Sequence, residues 1–459
     1  MGGSRASSTY GDAVRDLRQQ LASAPSDAPP RLAKRTSNLF RFREPPTGPT
    51  LDVSAFSRVF NVDPDARTAD VGGMTTYEDL VDATLPHGLM PLVVPQLKTI
   101  TLGGAVAGLG IESTSFRNGL PHESVLEMDV LTGDGEVVLA RPDNEHSDLF
   151  FGFPNSYGTL GYAVRLRIEL EPVRPTVALR HLRFANAAEC AEAIAEISKR
   201  HAHGDDAAPV DFIDGTVFGP DEYYLTLGRF TDDDVPHSDY TGTRIYYRSI
   251  HERTTDALSV RDYLWRWDTD WFWCSRALGA QHPLIRPLWP KRYLRSDVYR
   301  RIVALDRRYR LSDRLRALTR SPRQEPVIQD IEVPVDRLAE FMEFFHREVG
   351  ITPIWLCPLR LRGTRTWPLY PLEPDTLYVN VGFWSAVDLR DDERVGDRNA
   401  EIERVVTALD GHKSLYSTSF YSEDEFRKLY NGAEHDQLKR RYDRDGRLPG
   451  WYDKCVRGR

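Results

Sequence analysis

Cysteine is scarce in this 459-residue chain: Cys190, Cys274, Cys357 and Cys455 stand far apart, with no CxxC or CxxH spacing. That excludes a disulfide framework and a paired-ligand zinc site, and it points to a reducing cytoplasm. Long apolar runs are missing too. No stretch of about 18 apolar residues occurs, so no spanning helix is expected, and the first 30 residues have no apolar core for a secretory signal. The formal charge is −8, which argues against a nucleic-acid partner. Neither GxxxxGK[ST] nor GxGxxG occurs, so the phosphate-loop and dinucleotide-fold mechanics do not apply.

What is present centres on 99–119, TITLGGAVAGLGIESTSFRNG, a glycine-rich loop between two strand-like segments. Gly103, Gly104, Gly108 and Gly110 allow backbone to approach a ligand closely. The stretch suits either a phosphate-bearing cofactor or a tight turn between packed strands. Ahead of it, 12–22 has helical spacing, and RLAKRTSNLFRFR at 31–43 is strongly basic. That arm is either solvated or supplies Arg31, Lys34, Arg35 and Arg41 to phosphates. Short β units follow, with a helix over 77–87 started by Thr76 and stopped at Gly88, and a strand over 90–95. Gly133-Asp134-Gly135 marks a hairpin, and a second small-residue loop runs over 155–161. By Val173 the pattern is that of an α+β domain.

The second half differs in texture. An alanine-rich helix covers 185–199, and strands cover 212–218 and 223–230. His201 and His203 form either a metal-binding pair or part of a solvated loop. The stretch 263–295 holds Trp265, Trp267, Trp271, Trp273 and Trp289 with Arg286, Lys291, Arg292 and Arg295. This mixture suits a membrane interface or the aromatic core of a cap domain. In the strand 327–334, Gln329 and Asp330 point to opposite faces, so at most one of them faces a bound cofactor. In 354–358, Trp355 and Cys357 share a face and are candidates for a substrate tunnel, Cys357 as a buried apolar group. A helix over 401–409 is followed by a strand over 414–421 and a helix over 423–430.

GLGIESTSFRNGL at 108–120, DLFFGFPNSYGTLGYAV at 148–164, VIQDIEVPVD at 327–336, TPIWLCPL at 352–359 and WYDKC at 451–455, in that order, resemble the Δ24-sterol reductase family. They also resemble bacterial relatives that reduce a 10-methylene branch on a membrane fatty acyl chain to 10-methyl. The resemblance implies an α+β fold, with a vanillyl-alcohol-oxidase type FAD-binding domain and an α/β cap. The expected divisions are 1–173, 174–424 and a return over 425–459. It places the FAD site on Leu102, Gly103, Gly104, Gly108, Gly110, Glu112, Ser113 and Ser115, and on Ser156, Gly158 and Gly161. The amide at Gly104 is expected to cradle pyrophosphate, and Glu112, Ser113 and Ser115 to meet ribityl or ring edges. KRTSN at 34–38 stands where relatives carry a first glycine-rich phosphate loop, which makes Lys34 and Arg35 phosphate candidates. Phe116 stands where sterol reductases commonly carry His, implying non-covalent FAD. Lys454 is a further cofactor candidate.

The activity so implied is reduction of a lipid C=C bond by FAD, with NADPH as electron donor. Asp330 protonates one carbon, and Tyr416 is its fallback or orienter. The leading substrate expectation is a 10-methylene acyl chain, because the composition is rich in Arg, Asp and Ala. A methyltransferase is then the pathway partner, and the enzyme sits peripherally on the inner face of the membrane. A Δ24-sterol substrate, an alcohol or lactone oxidase using a base such as His412, and a lipid-binding protein without chemistry are the alternatives.

Overall fold

The computed structural model describes residues 9–25, 28–34, 37–41, 48–201, 203, 209–309 and 322–458. A short parallel pair, β1 (Arg31–Leu32) and β2 (Thr50–Leu51), ties the basic arm to the chain entering the first sheet. That sheet holds β3 (Val59–Asp63), β4 (Thr68–Gly72), β5 (Leu89–Pro91), β6 (Val125–Leu131), β7 (Val137–Ala140) and β8 (Tyr162–Pro172). Its order is β3-β4-β8-β6-β7, with β5 on the far end of β8. The expected strand over 90–95 shrinks to β5 because Pro91 and Pro95 each lack a ladder donor. The helix Tyr77–Thr84 starts on Thr76, whose side chain accepts from Asp79 N, and passes through a tighter turn to Gly88 at φ 69°.

After Pro172 the chain enters a second sheet made of β9 (Thr176–Phe184), β10 (Phe212–Gly219), β11 (Glu222–Thr231), β12 (Thr255–Ser259), β13 (Gln324–Pro334), β14 (Ile354–Leu359), β15 (Tyr378–Asp388) and β16 (His412–Lys413). The order is β12-β9-β11-β10-β14-β15-β13-β16, antiparallel throughout. Side chains alternate across each strand, so the sheet has two unlike faces. On one, Ile213, Val217, Val327, Ile331, Val381 and Phe383 pack against the helices Ala187–Arg200, Leu338–Glu348 and Asp397–Ala408. Each such side chain contributes about 1.5–3 kcal/mol when fully buried. The other face carries Asp214, Asp330, Glu332, Trp355, Cys357, Asn380 and Trp384.

Three further expectations change. The segment 99–119 is not a loop but the helix Leu102–Gly108, then a bend, then the helix Ser115–Asn118, because Thr101 caps the first turn and its Oγ1 accepts from Gly104 N. The strand over 414–421 is absent: after β16 the chain leaves the sheet, and Tyr416 O accepts from Phe40 N and Arg41 N at 2.9 and 3.2 Å. In the tryptophan-rich stretch, Trp265, Trp267, Trp271 and Trp273 are buried within the main core. The tail returns to the first sheet's side. Leu438 on the helix Gly432–Tyr442 packs where a Cβ on Gly152 would stand, and Trp451 Nε1 donates to Asn155 O at 3.0 Å. No helix among the described residues is long and apolar enough to cross a membrane.

Candidate functional site

Glycine in the helix Leu102–Gly108 answers first to packing. A Cβ on Gly103 would stand 2.7 Å from Gly73 O, one on Gly108 3.1 Å from the Tyr157 ring, and one on Gly110 3.0 Å from Pro121. The first-turn amides are already engaged: Leu102 N donates to Thr75 O, Gly103 N to Gly73 O, Gly104 N to Thr101 Oγ1 and Ala105 N to Thr101 O. The amide cradle expected at Gly104 is therefore closed, and what this turn offers an anion is a lysine. Lys34 Nζ donates to Thr101 Oγ1 at 3.0 Å. Arg35 lies outside the described residues.

The second loop, 153–161, holds Asn155, Tyr157, Gly158 and Gly161 at φ 63°, 52°, 77° and 143°. Left-handed Asn and Tyr beside two glycines fold the loop tightly enough for Tyr157 N to reach Ala107 O at 2.8 Å. Above it lies Arg41, which is buried. Its guanidinium stands 4.6 Å from the centre of the Tyr157 ring and donates to Leu415 O at 2.9 Å. No carboxylate among the described residues pairs with Arg41. Lys454 sits half-buried on the last turn, Asp453–Arg457, next to buried Cys455.

These two loops also gather polar atoms that the fold leaves unsatisfied. Thr75 Oγ1, Gln96 Oε1, Glu112 Oε2, Asn155 Oδ1, Ser156 Oγ, Tyr157 OH and Arg41 Nε are buried without a hydrogen-bond partner. Buried polar atoms are ordinarily paired, so a polar, many-edged ligand fits here. FAD has such edges, and the residues present suit it: Lys34 for phosphate, and Ser156, Tyr157, Glu112 and Arg41 for the remainder.

Glu112, Ser113 and Ser115 are bound mainly to one another. Ser115 Oγ accepts from Glu112 N, and Glu112 Oε1 accepts from Gln96 Nε2, Ser113 N and Ser113 Oγ at 2.7–2.9 Å. Burial pushes the Glu112 carboxyl up to about 7, against the pull of Arg266, whose Nη2 is 3.8 Å away. Arg266 pairs with Asp214 at 2.8 Å, both almost wholly buried. Trp267 Nε1 and Trp355 Nε1 donate to the same Asp214 oxygen at 3.0 and 3.2 Å. Trp355 and Cys357 do share the polar face, where Trp355 is thus bound to a carboxylate, and burial pushes the Cys357 thiol up.

On β13, Gln329 turns to the helix side and donates to Asn399 Oδ1 at 2.7 Å, while Asp330 and Glu332 take the polar face. Asp330 accepts from Asn380 Nδ2 at 3.1 Å and lies beside Tyr416, whose hydroxyl accepts from Trp384 Nε1 at 2.8 Å. The residue is only partly buried, yet the protein around its carboxyl pushes it up to about 6. Glycine is required opposite, at Gly382, since a Cβ there would stand within contact of Asp330 Oδ1. Glu332 is fully buried, bonded to Tyr370 OH and to Ser414 Oγ, and burial holds it well above the carboxylate range. His412, opposite Glu332 in the ladder, is pushed down to about 4 by burial and is neutral near pH 7.

Trp271 and Phe272 roof this face from consecutive left-handed conformations, φ 48° and 59°, a strain that bulky residues adopt only when their surroundings impose it. Phe272 lies 4.3 Å from Trp384, Trp273 5.4 Å from Trp384, and Phe40 stacks on Trp271. Phe116 is elsewhere, fully buried under the helix-covered face beside His201. No cluster among the described residues is arranged to hold a metal ion.

Sequence reasoning missed Glu332, Asp214 and Arg266. Glu332 shares the strand parity of Asp330, and Asp214 interrupts an apolar strand in the same way, so both carried a usable signal. Arg266 carried none, because its partner comes from another strand 52 residues away.

Residues 29–141 match the family described as FAD binding domain. The chain is similar to a Delta(24)-sterol reductase of Arabidopsis thaliana, 26% identical over 89% of this chain and 77% of that protein. The human Delta(24)-sterol reductase is 25% identical over 89% of this chain and 76% of its own length. Cytokinin dehydrogenase 7 of Oryza sativa subsp. japonica is 35% identical over 38% of this chain and 33% of its own.

Proposed function

We propose that this Δ24-sterol reductase-like FAD-binding oxidoreductase saturates an isolated carbon–carbon double bond in a lipid. The observation that carries the proposal is Asp330 on the roofed face of the second sheet, its carboxyl pushed up to about 6 and bonded by Asn380 Nδ2, beside a Tyr416 hydroxyl that accepts from Trp384 Nε1. FAD, bound non-covalently and reduced by NADPH, would supply hydride to carbon. The protein's part is the proton. An isolated alkene is a poor hydride acceptor, so a proton must reach one carbon as hydride reaches the other. With its pKa raised to about 6, Asp330 holds that proton far more readily near neutrality than an ordinary aspartate does. Asn380 orients the carboxyl, and Trp384 fixes the oxygen of Tyr416 beside it. Trp271, Phe272 and Trp273 exclude water from above.

The similarity over most of the chain to sterol reductases favours a Δ24-unsaturated sterol side chain over the 10-methylene acyl chain expected from composition. Both are alkenes whose protonation yields a tertiary centre, so the same acid serves either. The test incubates FAD-loaded protein with NADPH and each lipid separately, with mass spectrometry of the products. Gain of two hydrogens by the sterol is expected. Saturation of the acyl chain alone would reassign the substrate, and bleaching of the flavin by an alcohol, with neither lipid reduced, would overturn the reading in favour of an oxidase. Acid precipitation is expected to leave the yellow colour in the supernatant.

A further inference from the structure

The protein is acidic overall, with formal charge −8, but residues 284–309 hold eight arginines and lysines against two aspartates. The same stretch concentrates exposed apolar surface. Among the described residues ten large hydrophobic side chains are exposed, and Leu284, Ile285, Leu288, Tyr293, Leu305 and Tyr309 are six of them. Leu284 and Leu288, 76% and 82% exposed, are the two most exposed of the ten. A clustering of this kind is rare on a monomer that meets only water.

The tip is held up from below. Arg286, between the two leucines, is buried: it pairs with Asp270 through both of its terminal nitrogens, and its Nε donates to Gly242 O at 2.7 Å. Trp289 Nε1 donates to Tyr293 O at 3.3 Å, and its ring lies 6.0 Å from that of Tyr299 on the helix Ser296–Tyr309. Arg286 therefore fixes the loop while Leu284, Ile285 and Leu288 project. Next in the chain come Lys291, its side chain 66% exposed and paired with exposed Asp239 at 3.3 Å, and Arg292, whose guanidinium lies 4.7 Å from the Tyr293 ring centre; Arg301, 75% exposed and paired with Asp297 at 3.0 Å, follows on the helix, and exposed pairs of this kind exchange readily for lipid phosphate.

We infer that the 284–293 loop docks the protein on an anionic lipid bilayer, with Leu284, Ile285 and Leu288 entering the headgroup–acyl boundary and Lys291, Arg292 and Arg301 meeting lipid phosphates. Charge complementarity selects this occupant. Exposed apolar side chains followed within a few residues by exposed cations match a surface that is anionic outside and apolar beneath. Of the two readings open for the tryptophans, the burial of Trp265, Trp267, Trp271 and Trp273 favours the cap core, and the stretch that follows them in the chain supplies the exposed surface. The inference stands independently of the reaction proposed above.

Flotation of the FAD-loaded full chain with vesicles tests it, using phosphatidylcholine alone and phosphatidylcholine with phosphatidylglycerol. Wild type is expected to float with the mixed vesicles, less with phosphatidylcholine, and to be released by salt. Leu284→Asp with Leu288→Asp is expected to lower partitioning at least about a hundredfold, since two leucines no longer leave water. Lys291→Glu with Arg292→Glu is expected to remove the preference for phosphatidylglycerol. Unchanged flavin content and circular dichroism certify the fold of each variant. Equal flotation of wild type and the leucine variant would overturn the inference. So would a wild type that ignores vesicles but forms a dimer in sedimentation that the leucine variant dissolves, which would assign the patch to a second copy of the chain.

Discussion

Two faces of one sheet divide the labour. Against the helices Ala187–Arg200, Leu338–Glu348 and Asp397–Ala408, strands β10, β13, β14 and β15 present Ile213, Val327, Ile331, Leu356, Val381 and Phe383. One residue along, the same strands present Asp214, Asp330, Glu332 and Asn380 with Trp355 and Trp384 to the FAD-binding half. Strand geometry makes the two sets inseparable in sequence and opposite in space. The first face contributes stability. The second costs stability, because carboxyls such as Asp330 and Glu332 are removed from water without a cation beside them, a penalty that stays where the site has a use for it.

The comparison breaks most visibly on the helix side. Phe383→Ala removes a fully buried ring 4.6 Å from Phe345 and is expected to cost about 3–5 kcal/mol in urea unfolding, with turnover per folded molecule preserved. On the polar face Arg266→Met leaves Asp214 buried and unpaired, with a cost on the order of 3 kcal/mol. Adding Asp214→Asn should return much of that, and a double-mutant cycle in the same unfolding assay reads the recovery. If the double variant is as unstable as the single, the cluster is packing rather than charge.

The smallest effect has the opposite sign. Asp330 has a native pKa of about 6 against an ordinary 3.8, so its folded state is favoured while the carboxyl is protonated. That contribution is complete below about pH 4 and is lost as pH rises through about 6. Asp330→Asn in the FAD-free protein is therefore expected to match wild type in acid and to exceed it near neutrality by on the order of 1–2 kcal/mol, the ~3 kcal/mol of the full shift being reduced by the residue's partial exposure. Thermal melts across that range check it, and a variant less stable than wild type at neutral pH would mean that the acid serves the fold.

Much of this division was legible before the structure. Alternation gave β10, β11, β13 and β14 of the second sheet, though not β9 or β12, and set Gln329 and Asp330 on opposite faces, and the spacing of Thr76 and Gly88 bounded a helix to within a turn. The illegible parts share a cause, which is partners distant in sequence. Tyr416 leaves the sheet because its carbonyl is taken by Phe40 and Arg41, from the other end of the chain. Arg41 becomes a buried cation only once Tyr157 and Leu415 close around it. The glycine stretch coils into a helix where a loop was expected for a local reason: its glycines answer to the close approach of Gly73, Ala163 and Tyr157, and the Thr101 cap then lets the backbone coil.

The central claim is that the polar face delivers a proton to an alkene through Asp330. Its most direct test reduces the FAD-loaded protein chemically without oxygen, adds a Δ24-unsaturated sterol, and follows the return of the flavin's yellow absorbance. The account predicts that wild type is reoxidised with formation of saturated sterol and that Asp330→Asn is slower by about 10²–10⁴-fold with flavin still bound. Reoxidation of the variant at the wild-type rate would contradict it.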